Sequence, residues 1–363
     1  MTHPGFRTAV EPLLAAGAID AVEWTVDLGF GRTPPPSALA VCDAFGAAGR
    51  LYGHGVGYSP LSAGRDDVAA AWLGRLAADR NRYRRLSEHF GWCTGGTLRG
   101  GAPLPVPRTP ATLAVGQDRL RRLQDVAGVE IGLENLALAL SRADALDQGP
   151  FVAALLAPVD GYVHLDLHNL WCQIRNFDLD PDALLATWPL DRVRVVHVSG
   201  GSWVDGVRRD THDDRVPAEV WDLVRAVLPR LPGVEAVFLE RIGASFGAPG
   251  APAAFAADFA VLRGIVDALG PRPVVPAVAR TTTTTTMTTT GEASAAEVAR
   301  LATFQADALA ALGASHAAGT DPVAALGGLP ADDALRAWLA GADPRMVRVA
   351  EALVARWAMV DPG

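Results

Sequence analysis

Histidines and carboxylates stand at or just after the end of one short apolar run after another in this sequence. Nine of these residues are candidate metal ligands: His54, His89, Glu134, Asp166, His168, His197, Asp210, His212 and Glu240. Imidazole nitrogens and carboxylate oxygens without clustered cysteines suit iron, manganese or zinc. Because one ion takes about four to six ligands, the set predicts two or three ions that share at least one bridging carboxylate.

The apolar runs have the length and β-branched content of buried strands. Seven are predicted, at residues 21–25, 50–56, 85–90, 129–135, 161–167, 193–198 and 236–240, with helix-like segments between them. Strand–helix repeats of roughly 30 residues are typical of parallel βαβ units. Polar groups at the same end of successive strands converge only if the strands close into a barrel. The sequence therefore predicts an α/β fold, a TIM-type (β/α)8 barrel over residues 1–272, with a short eighth strand around Gly5-Phe6.

The chain changes character after the predicted barrel. Residues 273–291 are rich in Pro and Thr and predict a linker. Residues 292–363 have Leu, Ala and Trp at helical spacing and predict a small helical domain. Asp321-Pro322 and Asp343-Pro344 each place a capping carboxylate before a proline, the pattern of a helix start.

Composition narrows the classes of function. The chain has 363 residues, 50% of them hydrophobic, and a net charge of -8, which disfavours nucleic acid as a partner. No apolar stretch is long enough to span a membrane, and no secretory signal is visible, so we expect a cytoplasmic location. All 32 basic residues are arginines, which excludes a lysine Schiff base.

Residues near the predicted ligands are candidates for weaker roles. Trp92 and Cys93 follow a strand end and either contact the substrate or only pack in the core. Arg241 either binds a substrate carboxylate or lies on the surface. His164 shares a strand face with Asp166 but lies about 6–7 Å deeper, so it is predicted to lie below the metal ligands.

The spacing of these motifs resembles a known family. The motifs are Gly53-His54-Gly55, Ser87-Glu88-His89, Leu104-Pro105-Val106-Pro107, Leu133-Glu134-Asn135, Leu165-Asp166 with Asn169, His197-Val198-Ser199-Gly200, Asp210-Thr211-His212-Asp213 and Glu240. Together they resemble the multinuclear non-heme iron-dependent oxidative enzymes (MNIO), which include the methanobactin-biosynthesis oxidase. The resemblance covers about half of the chain.

The resemblance implies two or three irons of mixed Fe(II)/Fe(III) valence and O2 as co-substrate. The implied activity is oxidation of a ribosomally made precursor peptide, often at Cys. In the picture that we draw from it, His54, His89 and Glu134 hold one iron. Glu134 or a neighbour bridges to a second, catalytic iron, which is held by Asp166, His197 and Glu240. A third falls to Asp210 and His212 with either His168 or Asn169, since the family's Asn-Asn pair is His168-Asn169 here.

The resemblance also implies a small helical partner protein that recruits the peptide. The C-terminal segment, with Asp343-Pro344-Arg345-Met346-Val347 and Arg356-Trp357, is faintly similar to such a partner. Two other functions remain open. A xylose-isomerase-like isomerase or hydrolase would use manganese or zinc, although the sugar isomerases use a lysine near the metals. A non-catalytic peptide-binding scaffold would bind no stoichiometric metal.

Overall fold

Seven parallel strands form the centre of the protein. The computed structural model describes residues 3–30, 33–270 and 293–358. The strands are β1 (Val22–Thr25), β2 (Leu51–Gly55), β3 (Leu86–His89), β4 (Ile131–Glu134), β5 (Tyr162–Asp166), β6 (Val193–Val198) and, after a short antiparallel hairpin of β7 (Trp203–Val204) and β8 (Val207–Arg208), β9 (Ala236–Leu239). Each barrel strand pairs with the next along the chain, in the order β1-β2-β3-β4-β5-β6-β9.

The sheet curls into a nearly closed barrel. Glu23 on β1 and His197 on β6 lie at opposite sides of the sheet order, yet their side chains are 2.7 Å apart in the interior. Deeper in the barrel, one layer of inward side chains consists of Tyr52, Tyr162, Val195 and Ala236. Side chains filling a barrel in layers are the expected core of this fold. The predicted TIM-type barrel is therefore confirmed.

Helices cover the outside of the barrel, and four further helices, α11 to α14, make up the described C-terminal part of the chain. They are α1 (Pro4–Ala15), α2 (Pro36–Ala47), α3 (Asp66–Leu76), α4 (Pro110–Ala127), α5 (Arg142–Leu146), α6 (Gln148–Leu156), α7 (Leu167–Phe177), α8 (Pro181–Leu185), α9 (Ala218–Val227), α10 (Ala251–Ala268), α11 (Ala295–Ala318), α12 (Pro322–Gly327), α13 (Asp333–Ala340) and α14 (Pro344–Ala358). Within the described ranges, no helix has the length and apolar character needed to cross a membrane.

The predicted eighth strand is wrong. Gly5 and Phe6 lie in the first turn of α1, which begins at Pro4. The fixed φ of proline is already helical at this position, and Nδ1 of His3 accepts a hydrogen bond from the backbone N–H of Gly5. Phe6 packs edge-on against Phe246 and Phe255 instead of joining the sheet. Strands β1 and β9 thus remain the two edges of the described sheet.

The C-terminal helices pack on loops at the carboxyl ends of the strands. The Gln305 side chain on α11 bonds the backbone of Leu61 and Ala63, and the backbone N–H of Asp343 donates to the carbonyl of Leu140. Met346 on α14 is fully buried in a cluster with Leu140, Val207 and Val349. The helices therefore lie against the rim of the barrel mouth. The predicted linker, residues 273–291, falls outside the described residues.

Candidate metal centre

All nine ligands predicted from the residues converge at the mouth of the barrel. Five of them are the last or next-to-last residues of their strands: His54, His89, Glu134, Asp166 and His197. Asp166 pairs with His197 and His89 pairs with Glu134 on the neighbouring strands, so these side chains lie at the same height along the barrel axis. Glu240 directly follows β9, where its N–H donates to the Val198 carbonyl and extends the ladder. Parallel strands place their carboxyl ends at one end of a barrel, which explains the convergence.

The first group of ligands surrounds one oxygen of Glu134. Nε2 of His54 and Nε2 of His89 both lie 3.1 Å from Glu134 Oε2. The other nitrogen of each ring is occupied, since Nδ1 of His54 faces Ser87 Oγ at 2.9 Å and Nδ1 of His89 faces the Gly55 carbonyl at 3.1 Å. Both rings therefore present Nε2 to the same place, a three-ligand arrangement that can hold a cation.

The second group shares Glu134 with the first. Nδ1 of His197 lies 2.9 Å from Glu134 Oε1 and 3.0 Å from Glu240 Oε2. Asp166 completes the group: its Oδ1 accepts the N–H of Asn169 at the start of α7, whereas its Oδ2 is buried without a hydrogen-bond partner. Because Glu134 turns one oxygen to each group, it can bridge two ions.

The third group extends from Glu240 toward the rim. His212 Nδ1 lies 3.3 Å from Glu240 Oε1, and its Nε2 lies 2.6 Å from Asp210 Oδ1. His212 adopts a left-handed backbone conformation with φ 51°, which is costly for a residue with a Cβ. Its carbonyl accepts the N–H of Ile242 at 2.8 Å, which helps to hold this conformation.

His168 and Asn169, the two alternatives for the third group, have different surroundings. His168 Nδ1 faces Asp210 Oδ1 at 3.1 Å, and its Nε2 lies 3.3 Å from Nη2 of Arg208. Because an arginine only donates, Nε2 of His168 accepts and Nδ1–H donates to Asp210. Asn169 donates through Nδ2 to the Asn135 carbonyl, which leaves its Oδ1 buried and without a partner.

Unpartnered polar atoms concentrate among these ligands. Four of them, Asp166 Oδ2, Asn169 Oδ1, His197 Nδ1 and His212 Nε2, are buried and make no hydrogen bond. Buried polar groups in folded proteins are almost always bonded. Two of these four atoms, His197 Nδ1 and His212 Nε2, nevertheless lie within 3.0 Å of a carboxylate oxygen. Close approach without hydrogen-bond geometry is the arrangement expected around cations, so the residues present fit a multinuclear metal site.

The histidines and carboxylates of the cluster shift each other's pKa values toward the charged forms. Burial alone would raise the pKa of Glu134, but His54, His89 and His197 hold that pKa well below its ordinary value. Burial would lower the pKa of His197, yet Glu23, Glu240 and Glu134 raise it well above its ordinary value. Without metal the cluster is thus a set of charged pairs, in which protons occupy positions that cations can take.

A buried polar layer lies beneath the ligands. Glu23 Oε2 is 2.7 Å from His197 Nε2, and Ser87 Oγ lies 2.9 Å from both His54 Nδ1 and His164 Nδ1. His164 itself is fully buried, as its deeper position on β5 predicted. Sequence reasoning missed Glu23, because a single acidic residue inside a short apolar run gives no sign that it faces a histidine 174 residues away.

The three weaker substrate candidates differ in their surroundings. Trp92 is buried and donates from Nε1 to the Pro105 carbonyl. Cys93 is 1% exposed, and its Sγ faces the Val56 carbonyl. Arg241 bonds Ser245 Oγ and the Asp213 carbonyl, and it stacks over Phe246. Trp92 and Cys93 therefore belong to the core, whereas the partly exposed Arg241 lines the rim.

The cysteines are expected to resist thiol reagents in the folded protein. Cys42, Cys93 and Cys172 are all buried, and burial raises the pKa of Cys93 to about 12. At a pH near the ordinary thiol pKa of about 8.5, iodoacetamide should label the native protein at least about 100-fold more slowly than the protein in guanidinium chloride. Mass spectrometry of the labelled protein measures this ratio. Fast labelling of Cys93 in the native protein would show that it reaches the surface.

Comparison with known proteins gives one family over most of the barrel. Residues 34–244 match the family model described as "RiPP precursor modification enzyme MbnB/TglH/ChrH". A UPF0276 protein of Caulobacter vibrioides is 35% identical over 191 residues, 52% of this chain and 67% of that protein. One from Acaryochloris marina is 32% identical over 180 residues, 49% of this chain and 64% of that protein.

Among solved structures, an L-ribulose 3-epimerase aligns with a TM-score of 0.44 and 12% sequence identity, over 74% of this chain and 92% of that chain. A D-psicose 3-epimerase from Clostridium cellulolyticum H10 aligns with a TM-score of 0.44 and 14% identity, over 72% and 93% of the two chains.

Proposed function

Because this chain belongs to the RiPP precursor modification enzyme MbnB/TglH/ChrH family, we propose that it uses two or three iron ions and O2 to oxidise a ribosomally made precursor peptide at a Cys residue. The observation that carries the proposal is the set of four buried atoms without a hydrogen-bond partner, on Asp166, Asn169, His197 and His212. They surround Glu134 and Glu240, two carboxylates that each face two of the ligand groups. A mixture of imidazole and carboxylate ligands suits non-heme iron.

Three groups of residues would hold the ions. His54, His89 and Glu134 would hold the first, and Glu134, Asp166, His197 and Glu240 the second. Asn169, Asp210 and His212 would hold the third, with Glu240 turned toward it. Iron bound here would supply electrons to O2 and a positively charged site for a substrate thiolate.

The exposure of the side chains in the second ligand group indicates from which side a peptide reaches it. The Glu240 side chain is 35% exposed, whereas those of Glu134 and His197 are 2% and 1% exposed. Water and substrate therefore approach past Glu240, while Glu134 and His197 form the dry floor of the site. We assign the catalytic position to the ion that Asp166, His197 and Glu240 would hold, since that group combines buried side chains with one solvent-facing side.

We assign the third group to Asn169 rather than His168. Both ring nitrogens of His168 already have partners, Asp210 and Arg208, whereas Asn169 Oδ1 has none. Asn169→Ala should remove about one ion per chain after iron reconstitution. His168→Asn should retain the ion and weaken its affinity by about 10–100-fold, because His168 then no longer orients Asp210. Elemental analysis of the two variants decides: loss of an ion from His168→Asn with full retention in Asn169→Ala reverses the assignment.

The C-terminal helices are proposed to recruit the peptide, as a built-in counterpart of a helical partner protein. They border the mouth, where the exposed large apolar side chains of the described residues also lie: Trp203, Val204, Ile242 and Trp357. Trp357 near the end of α14 packs against Gly101 in the long loop after β3, and Val207 of the hairpin packs against Met346. An apolar rim shared by the barrel and the helices offers a peptide a surface beside the metal centre.

The proposed activity is tested by metal content and oxygen uptake. Protein reconstituted anaerobically with Fe(II) should contain two to three irons per chain and show a coupled mixed-valence signal in Mössbauer or EPR spectra after partial oxidation. Candidate precursor peptides encoded near the gene are then added with O2. Oxygen uptake and a peptide mass change that disappear when the peptide's Cys is replaced by Ser support the proposal. Zinc or manganese as the bound metal, with no oxygen uptake after iron loading, overturns it.

A further inference from the structure

His197 faces a carboxylate on both sides of its ring. Nδ1 points to Glu134 and Glu240 in the metal centre, and Nε2 lies 2.7 Å from Glu23 Oε2 on the opposite side. His197 is 1% exposed, so water does not compete for either nitrogen. We propose that Glu23 is the positioning residue that orients His197 for metal binding, an inference that rests on the metal centre of the proposed function.

Histidine chemistry gives Glu23 this role. A neutral imidazole binds a metal through Nδ1 only when its proton is on Nε2. A carboxylate that accepts the Nε2–H hydrogen bond selects that tautomer, fixes the ring and makes Nδ1 a stronger ligand. Glu23 Oε2 is the hydrogen-bond partner of Nε2 in the described structure. His164, whose ring centre is 3.9 Å from that of His197, packs edge-on against it.

The partners of the other two candidate histidine ligands on strands, His54 and His89, show why Glu23 should have the largest effect. Ser87 Oγ lies behind His54, and the Gly55 carbonyl lies behind His89. Both of these partners are neutral, whereas Glu23 carries a charge, and charge-assisted hydrogen bonds are roughly twice as strong. Glu23 also comes from β1, an edge strand of the described sheet, so it joins His197 to a part of the barrel that β6 does not pair with.

The test compares three variants with the wild type, using Zn²⁺ alone as the probe. Glu23→Ala removes the charge and the acceptor, and Glu23→Gln keeps an acceptor oxygen without the charge. Thr25→Val is the control on the same strand, with a near-identical shape and no described hydrogen bond to lose. Competition with a chromophoric chelator gives each zinc affinity, and circular dichroism and thermal melting of the metal-free proteins report on folding.

We expect Glu23→Ala to bind one zinc ion about 10–100-fold more weakly, with the remaining ions unaffected. Glu23→Gln should fall between Glu23→Ala and the wild type, and Thr25→Val should match the wild type. In the NMR spectrum of the zinc-loaded wild type, the Nε2 proton of His197 should give a low-field signal that shifts in Glu23→Gln and is lost in Glu23→Ala.

Two results overturn the role of Glu23. One is a zinc affinity and a His197 proton signal in Glu23→Ala that equal those of Thr25→Val. The other is equal weakening of every ion together with a lower melting temperature of the metal-free protein, which indicates a purely structural contact. A wild type that binds zinc with this signature but oxidises no peptide overturns the proposed oxidation and leaves the role of Glu23 intact.

Discussion

Glu134→Gln is expected to remove two of the proposed ions and to abolish the proposed oxidation. Glu134 is the one described residue shared by the first two ligand groups, with Oε2 between His54 and His89 and Oε1 beside His197. A glutamine amide has one oxygen, and its NH2 group would face a histidine nitrogen, so it cannot bridge. Loss of a shared ligand should cost more than the about 10–100-fold in affinity that changing a supporting residue costs. Metal content after desalting and oxygen uptake measure both effects.

A matched control separates loss of metal from loss of folding. Glu235→Gln makes the same change at a glutamate that is also buried but lies at the opposite end of the barrel, where it pairs with Arg84 and Arg85. Breaking that buried pair should lower the free energy of unfolding by about 3 kcal/mol and leave the number of ions unchanged. Full metal content in Glu134→Gln would show that Glu134 is not a ligand, and metal loss in both variants would trace the effect to folding.

The barrel and the cluster of candidate ligands could be predicted from the sequence because both follow from local patterns. Short apolar runs form the strands, and His54, Glu134 and His197 each stand at the end of such a run. Once the strands are parallel, their carboxyl ends meet without any further information. Residues that stand at the ends of strands and are distant in the sequence therefore meet in one cluster in the folded chain.

The misplaced strand and the missed glutamate have different physical causes. A (β/α)8 barrel needs an eighth strand, and the sequence predicts it at Gly5-Phe6, but Pro4 and the capping ring of His3 favour a helix at that position. Local sequence patterns do not identify Glu23, because its partner His197 lies on β6 and only the curvature of the whole sheet brings the two residues together. It also lies outside the segment 34–244 that matches the family, so a family comparison does not point to it.

The choice between His168 and Asn169 shows a third limit. Both are adjacent in sequence at the start of α7, and both are buried, so position alone does not separate them. The difference lies in their partners: Arg208 and Asp210 satisfy His168, whereas Asn169 keeps a free oxygen. Hydrogen-bond partners depend on the loop between residues 200 and 216, whose path cannot be read from the strand pattern.

Metal binding at about pH 7 should release about three protons per chain. Burial would lower the pKa of His54, but Glu134 raises it to about 9. The pKa values of His197 and His212 also lie well above the ordinary value, because the nearby carboxylates outweigh burial. All three rings are therefore protonated in the metal-free protein at this pH and must lose a proton to bind a cation. His89 contributes none, because burial lowers its pKa.

The sign of the pH dependence follows directly. Protons compete with the metal wherever the pH is below these raised pKa values, so the affinity should increase with pH across the neutral range. Each released proton increases the metal affinity about tenfold per pH unit, and two released protons increase it about 100-fold. Calorimetry with Zn²⁺ in buffers of different ionisation enthalpy counts the protons. Glu240→Gln should release fewer, because Glu240 faces both His197 and His212, whereas His316→Gln on α11 should match the wild type. Binding without proton release would mean that these histidines are not the ligands.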